Sequence, residues 1–173
     1  MGTAAVQIAR ASGAGVIGTS RTVHGRELIS DLGGIPADPE SVVDVVLEIS
    51  SGRGANVVLE VVGAPNLATD LAALAVLGRI IVVGVGAGAE TSINLGALMS
   101  RRGRLLASVL RARSSEDKAI VVRAFERRML PHLASGEVRP VIDRVFAADD
   151  VAAAFNHVEC GIKRGKVLLD FGS

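Results

Sequence analysis

The sequence contains few of the residues on which several common kinds of site depend. Among its 173 residues one is cysteine, Cys160, none is tryptophan or tyrosine, and aromatic residues make up 2%. A single cysteine excludes an internal disulfide framework and a multi-cysteine zinc site. The scarcity of aromatic rings removes the stacking platforms on which single-stranded nucleic acids bind.

Excess charge of one sign and long apolar runs are missing as well. Nineteen basic and eighteen acidic residues leave a net charge of +1, so there is no large positive field to attract nucleic acid or an anionic membrane. No apolar run reaches the roughly 20 residues of a membrane span, and the first residues lack the order of a signal peptide. We therefore predict a soluble cytoplasmic protein that has no nucleic-acid or membrane partner.

What the sequence does contain is an alternation of helical and extended patterns in a chain that is 49% hydrophobic. The segments 57–62 and 80–85 are almost entirely apolar, as strands covered on both faces should be. Shorter strands are predicted at 16–20 and 105–110, and helices at 3–12, 24–32, 41–50 and 66–77. This alternation predicts an α/β fold with a doubly wound, Rossmann-like parallel sheet.

The composition changes toward the end of the chain. A long charged helix is predicted over 115–135, followed by a strand at 141–146, a helix at 149–158 and a last strand at 167–171. This change in composition predicts a domain boundary near Gly136.

Two glycine patterns are candidates for phosphate binding. Gly13, Gly15 and Gly18 form a literal G-x-G-x-x-G, but here a helix precedes the glycines and a strand holds the last one, whereas the phosphate-binding form follows a strand and opens a helix. We interpret them as a helix stop with close strand packing. The helix that opens at Gly2 and Thr3 is the better candidate, because its free N–H groups and dipole would face an anion.

The ends of the predicted strands supply further candidates. Ser20 and Arg21 follow the strand at 16–20, where dinucleotide-binding sheets meet the adenosine ribose; a carboxylate there favours NAD, whereas arginine and small hydroxyls favour the 2′-phosphate of NADP(H). The alternative is a solvated arginine. Gly63 and Gly84 follow apolar strands, either as cofactor-crevice glycines or as ordinary turns. Glu60 either lines that crevice or is a paired or rim-exposed carboxylate.

No metal site or nucleophile is predicted. The three histidines stand far apart without a metal-binding pattern, and no G-x-S-x-G elbow is present. This does not argue against a dehydrogenase, since in hydride transfer the cofactor carries the chemistry.

The chain resembles the cofactor-binding and C-terminal portion of medium-chain dehydrogenases/reductases, in the NADPH:quinone oxidoreductase (zeta-crystallin-like) branch. The resemblance covers nearly all of the sequence and rests on GTAAVQIARASGAGVIGTSRT, SSGRGANVVLEVVG, LAVLGRIIVVGVGAG, INLGALMSRRGRLLASVLRARS, VRPVIDRVFAADDVAAAF and RGKVLLDF.

The resemblance implies a truncated dinucleotide-binding domain at 1–132, a C-terminal segment of the catalytic domain at 133–173, and particular site residues. Gly2 would end the glycine-rich turn, Ser20 and Arg21 would lie near the 2′-phosphate, and no residue is a confident proton donor. Further positions implied along the cofactor are Gly63, Gly84 and Val85 on the dinucleotide, Leu110 and Arg111 near the nicotinamide, and Lys166 beside the crevice. The strand from Leu105 to Leu110 would pair across the two-fold axis of a homodimer.

The sequence also departs from the family pattern. The N-terminal catalytic domain, the first strand and most of the glycine turn are not represented, and Met1 stands where a valine is typical, which suggests a start at an internal codon. We expect the sheet edge left by that strand to expose valine and isoleucine side chains and to favour oligomers or aggregation. A tyrosine often found near the adenosine is missing from the loop at 34–41, and Lys163 replaces an asparagine.

The activity implied by the resemblance is zinc-independent, NADPH-dependent reduction of quinones or related α,β-unsaturated carbonyls. Two alternatives stay open: a catalytically silent nucleotide-binding or dimerisation fragment, and an enoyl reductase that acts on a thioester.

Overall fold

The computed structural model describes residues 1–161 and 164–172, so Lys163 lies outside the described residues. Helices and strands alternate along this part of the chain. The helices are Gly2–Ala11 (α1), Val23–Asp31 (α2), Val42–Ile49 (α3), Leu67–Ala73 (α4), Leu95–Ser100 (α5), Ser115–Ala134 (α6) and Val151–Glu159 (α7). The strands are Ile17–Thr19 (β1), Ile35–Ala37 (β2), Ala55–Glu60 (β3), Leu74–Val82 (β4), Arg104–Ala107 (β5), Ile142–Ala147 (β6) and Lys166–Asp170 (β7).

Two compact units divide the chain. Unit 1 combines Met1–Pro36 with Glu126–Ser173, and unit 2 is Ala37–Phe125. The predicted division into 1–132 and 133–173 concerns functional domains and stays a prediction.

Unit 2 is built on a three-stranded sheet in the order β3-β4-β5. Both pairs are parallel, with Val58 opposite Ile80 and Ile80 opposite Leu105, which confirms the predicted parallel pairing. The core lies between α4 and the sheet and is formed by Leu71 of α4 with Leu74 and Ile80 of β4. Parallel pairing brings the carboxyl ends of β3, β4 and β5 to one edge, so the turns that follow these strands lie side by side.

In this sheet β3 has β4 as its neighbour on one side only. Val57 is 46% exposed and Leu59 43% exposed, whereas Val58 is half-buried and Glu60 is buried, so one face of β3 is accessible. The expected exposed edge with valine and isoleucine, and the oligomers or aggregation expected from it, stay predictions.

Unit 1 contains two smaller sheets, β1-β2 and the parallel pair β6-β7. A buried glutamine on α1 connects the two ends of the chain inside this unit. The Gln7 amide donates from Nε2 to the Arg139 carbonyl oxygen at 3.0 Å, and its Oε1 accepts from the Arg139 amide at 2.9 Å. Both polar atoms of the side chain are thereby satisfied.

Three details differ from the sequence-based predictions. The predicted helix at 66–77 ends at Ala73, and β4 begins at Leu74, because Leu74 and Ala75 are buried as strand residues. The strand β2 and the helix α5 were not predicted. The described strands also form separate sheets of two, three and two strands. No helix in the described ranges is both long enough and apolar enough to cross a bilayer.

Candidate functional site

The turn between β1 and α2 carries the residues predicted to select the cofactor. Arg21 is exposed at the centre of this turn. The Ser20 hydroxyl accepts from the Thr22 amide at 3.3 Å and lies 3.4 Å from the Thr22 hydroxyl. Thr22 caps α2 by accepting from the Gly25 amide at 3.1 Å, because its side-chain oxygen can satisfy one of the unpaired amides of the first turn. Two hydroxyls and a guanidinium are thus held on one short turn.

Two further arginines were missed by the sequence analysis, one that contacts this turn and one that contacts the helix α2 after it. Arg26 donates from Nη1 to the Ser20 carbonyl oxygen at 2.8 Å. Arg164 donates from Nη2 to the His24 carbonyl oxygen at 3.3 Å and to Glu27 Oε2 at 3.2 Å. Helical spacing from the Thr22 cap could have indicated Arg26, but Arg164 is 140 residues from His24, and no local pattern signals so distant a contact.

Gly2 and Lys166 are the other predicted site residues of unit 1. Gly2 begins α1, and the space in which a side chain would stand is open, with nothing within 4 Å. Lys166 begins β7, donates its amide to the Val141 carbonyl oxygen at 2.8 Å, and has an exposed side chain. Their roles in cofactor binding stay predictions.

The literal glycine motif of unit 1 is structural. Gly13 has φ +79° and follows the end of α1, and a Cβ on Gly18 would stand 3.1 Å from the Ile29 side chain. The interpretation as a helix stop with close strand packing is confirmed.

In unit 2 the structure brings Gly63, Gly84 and Val85 together at the carboxyl edge of the sheet. Gly63 has φ +110°, and a Cβ there would stand 2.5 Å from the Gly88 carbonyl oxygen and 2.7 Å from the Val85 Cα. A Cβ on Gly84 would overlap the Val61 carbonyl oxygen. The two turns also exchange hydrogen bonds, Ala87 N to the Val62 oxygen at 3.0 Å and Ala64 N to the Gly88 oxygen at 2.9 Å.

These contacts explain why both positions are glycine. We call the segments 61–64 and 84–88 the paired glycine turns. They need glycine in order to pack backbone against backbone, which is independent of any ligand. The contacts do not exclude a cofactor on the outer side of the turns, where Val85 is 50% exposed.

Leu110 and Arg111 lie beyond β5, the neighbour of β4. The ladder between these strands continues one step past β5, where Ser108 N donates to the Val82 oxygen at 3.0 Å. Leu110 is 58% exposed and Arg111 is exposed, so both side chains are available to a ligand at this end of the sheet.

Glu60 is the buried charged residue of unit 2, 4% exposed at the end of β3. Its Oε1 accepts from the amides of Val62 and Gly63, the latter at 2.7 Å, and its Oε2 accepts from Asn66 Nδ2 at 3.2 Å. Of the two alternatives left open by the sequence, the structure shows the paired carboxylate. Its role is to hold the turn that follows β3.

The partner of Glu60 is Asp70 on α4. Burial raises the pKa of Asp70 to about 7, and the charge of Glu60 and a side-chain hydrogen bond with it act in the same direction. The Asp70 Oδ2 atom is buried without a hydrogen-bond partner in the described part of the chain. Two carboxyl groups in one poorly solvated region favour a single shared negative charge.

A second perturbed carboxylate lies in unit 1, between β6 and α7. The Asp143 carboxylate meets His157 Nε2 at 2.5 Å and accepts from the Arg164 amide at 2.7 Å. The hydrogen bond with His157 is the main reason that the pKa of Asp143 lies below its usual value, and the Arg164 amide adds to it. Among residues 1–161 and 164–172, no three His, Cys, Asp or Glu side chains form a group that could hold a metal ion.

Parallel strands that alternate with helices, and whose turns meet at the carboxyl edge of a sheet, define the Rossmann-like class of α/β folds. The family described as zinc-binding dehydrogenase matches residues 1–127. The chain belongs to this family, within the medium-chain dehydrogenase/reductase superfamily, as a quinone-oxidoreductase-like protein.

Individual relatives agree with this assignment. Quinone oxidoreductase of Rattus norvegicus is 27% identical over 98% of this chain, which corresponds to 51% of the rat protein. A highly reducing polyketide synthase of Emericella nidulans is 32% identical over 98% of this chain, which is 7% of that protein. The solved structure of quinone oxidoreductase from Thermus thermophilus, also studied in complex with NADPH, is 29% identical, has a TM-score of 0.83, and is matched over 98% of this chain and 54% of its own.

The fold of the Thermus protein confirms the predicted Rossmann-like, doubly wound class. This chain spans about half the length of the quinone oxidoreductases that it matches.

Proposed function

We propose that this chain is the NADPH-binding part of a cytoplasmic, zinc-independent oxidoreductase that reduces quinones or related α,β-unsaturated carbonyls. The observation that carries the proposal is the turn after β1, where Arg21 is exposed beside the Ser20 and Thr22 hydroxyls and Arg26 of α2 donates to the Ser20 carbonyl oxygen. The name of the Thermus protein, a quinone oxidoreductase studied with NADPH, supports the same substrate and cofactor.

The donors on this turn fit a phosphate group. Hydroxyls and guanidinium groups donate hydrogen bonds to phosphate oxygens, and charge-assisted bonds of this kind are the strong ones. The turn itself, residues 20–22, carries no carboxylate, whereas a carboxylate at this place would bind the free ribose hydroxyl of NAD. Bound NADPH would supply the hydride, and Ser20 and Arg21 would hold its adenosine end.

The remaining predicted residues are assigned to the rest of the cofactor. We assign the start of α1 at Gly2 to the pyrophosphate, since amides at a helix N-terminus favour an anion. The paired glycine turns, with Gly63, Gly84 and Val85, would support the dinucleotide, and Leu110 and Arg111 would lie near the nicotinamide. Lys166 keeps the role beside the cofactor crevice that the family resemblance implies.

The test is a titration of the purified chain with NADPH and with NADH, for the wild type, Arg21→Ala and the control Arg123→Ala on the exposed surface of α6. Losing a charge-assisted hydrogen bond costs about 1.5–3 kcal/mol, so Arg21→Ala is expected to weaken NADPH binding by about tenfold or more and to leave NADH binding unchanged. Equal affinities for both cofactors that the substitution does not change would contradict the assignment.

The polyketide synthase relative favours a second candidate, an enoyl reductase acting on a thioester. NADPH oxidation measured with 1,4-benzoquinone and with crotonyl-CoA separates the two reactions. Binding of NADPH without oxidation by either substrate would favour a catalytically silent nucleotide-binding fragment.

We also propose that the chain forms a homodimer through β5 and the residues up to Leu110. Strand β5 is at the edge of its sheet, and all four of its residues are exposed. Leu105 and Leu106 are 40% and 45% exposed, which gives this edge an apolar surface suited to a second copy. Light scattering after size exclusion should give the dimer mass for the wild type and the monomer mass for Leu106→Lys; a wild-type monomer would refute this contact.

A further inference from the structure

The paired glycine turns depend on a carboxyl group that the proposed function does not use. Glu60 points back from the end of β3 and accepts the amides of Val62 and Gly63 with one oxygen. Its other oxygen accepts from Asn66, in the short 3-10 helix Ala64–Asn66 that follows the turn. A single buried carboxylate therefore fixes both the beginning and the end of the first paired turn.

The second turn follows the first. Across the two turns the Ala87 amide donates to the Val62 carbonyl oxygen and the Ala64 amide donates to the Gly88 carbonyl oxygen, and Gly63 leaves no room for a side chain between the turns. Any movement of the first turn away from Glu60 is consequently transmitted to residues 84–88. The geometry of the whole carboxyl edge of β3 and β4 is tied to the position of the Glu60 carboxylate.

Asp70 determines whether Glu60 can keep that position. Both Glu60 oxygens accept from N–H donors, whereas the buried Asp70 Oδ2 atom has no hydrogen-bond partner in the described part of the chain. Burial raises the pKa of Asp70, so the proton is assigned to Asp70. Neutral Asp70 is compatible with a buried oxygen that lacks a partner, whereas an ionised carboxyl group would leave a full charge there beside Glu60.

Other charged groups near α4 do not compensate for that charge. Of the elements packed against α4, α3 carries Asp44 and Glu48, β3 carries Glu60, β4 carries Arg79, and α5 and the 3-10 helix carry no charged residue. The charge of Glu60 and its side-chain hydrogen bond add to the effect of burial on the pKa of Asp70. An ionised Asp70 would therefore repel the Glu60 carboxylate that holds the turn amides.

We propose that Glu60 and Asp70 are positioning residues that share one proton, hold the paired glycine turns in their cofactor-binding geometry, and release them when Asp70 loses that proton. The statement that this geometry binds the cofactor rests on the proposed NADPH-binding function. The statement that the two residues hold and release the turns does not depend on it.

The test measures the protection of the turn amides and the binding of the cofactor in separate experiments. Amide hydrogen exchange of Val62 and Gly63 is followed from pH 6 to 8.5, corrected for intrinsic rates, in the wild type, in Asp70→Asn and in the control Asp44→Asn. Asparagine is neutral at every pH and keeps a donor toward Glu60. We expect the wild type and Asp44→Asn to lose about tenfold or more of their protection above pH 7, and Asp70→Asn to retain it.

NADPH titrations over the same pH range form the second arm. The NADPH affinity of the wild type should fall severalfold between pH 6 and 8.5 relative to that of Asp70→Asn. Ionisation of the cofactor phosphate affects both proteins equally, so it does not contribute to this difference. A variant Glu60→Gln should show weakened exchange protection at every pH, since its amide is a poorer acceptor than a carboxylate.

The two arms separate failure of this inference from failure of the proposed function. If the exchange profiles of the wild type and Asp70→Asn coincide, the positioning role is refuted, whether or not NADPH binds. If those profiles differ but NADPH binds at no pH, the role in holding the turns is supported and the NADPH-binding function is refuted.

Discussion

Replacing Asp70 by asparagine should stabilise the protein, which is the opposite of the usual effect of a change at a buried polar residue. The carboxyl group of the folded chain keeps its proton up to about pH 7, whereas in the unfolded chain it ionises near 3.8. Between these values the folded state binds more protons than the unfolded state, so the free energy of unfolding falls as pH rises. Above pH 7 both states are ionised and the loss is complete.

The size of the effect follows from the difference between the two pKa values. A difference of about 3 units corresponds to about 4 kcal/mol at 1.36 kcal/mol per unit. This is an upper limit, because partial solvation of ionised Asp70 reduces it. Asparagine removes the titration, so Asp70→Asn should equal the wild type in stability near pH 4 and exceed it by roughly 2–4 kcal/mol at pH 8.

Urea denaturation followed by far-ultraviolet circular dichroism at several pH values measures this difference; the sequence has no tryptophan or tyrosine to serve as a fluorescent probe. The exposed Asp44→Asn should change the free energy of unfolding by less than about 0.5 kcal/mol. If Asp70→Asn is no more stable than the wild type at pH 8, or if the difference between them is independent of pH, the shared-proton description of the pair is wrong.

Three other substitutions probe features described above. Gly63→Ala should lower the free energy of unfolding by about 1–3 kcal/mol, because its φ of +110° is strained for any side chain; Gly86→Ala, in open space, is the control, and equal stability of the two variants would contradict the close-packing argument. Gln7→Ala should cost about 1–3 kcal/mol in thermal or urea unfolding, because it leaves a backbone donor and acceptor without partners; a neutral result would show that water replaces the amide. Asp143→Asn should be less stable than the wild type at pH 7, and the difference should disappear as pH falls through the lowered pKa of Asp143; a difference that persists at pH 2 would exclude the hydrogen bond between the Asp143 carboxylate and His157 as its source.

The sequence predicted the elements whose patterns are strong and missed those whose signals are weak or ambiguous. Strands β3 and β4 could be predicted from their nearly continuous apolar runs, because strands buried in a parallel sheet need not alternate between apolar and polar residues. The boundary between α4 and β4 does not, because the alanine- and leucine-rich run LAALAVL suits both structures and tertiary packing places Leu74 in the strand. Strand β2 was missed because Pro36 normally disfavours a strand and is tolerated here in a strand of three residues.

Some residues of the candidate site could likewise be predicted from the sequence, whereas others could not. Ser20, Arg21 and the glycines could be named from their positions after strands, because the carboxyl ends of parallel strands meet at one edge. The helix α5 could have been found from its cap, since Asn94 Oδ1 accepts from the Ala97 amide at 3.0 Å. Arg164 and the pairing of Glu60 with Asp70 depend on tertiary contacts, which periodicity and local spacing do not encode.

The link between Gln7 and Arg139 has a consequence for the order in which the chain can fold during synthesis. These residues are 132 positions apart, and at roughly 5–20 residues per second a ribosome needs on the order of 10 s to produce the second after the first. Residues 37–125 emerge in full within that interval and can fold while the first helix still waits for its counterpart. Helix α1 is thus synthesised before residues 37–125 but reaches its contact with Arg139 after them, so translation sets the earliest time at which this contact can form.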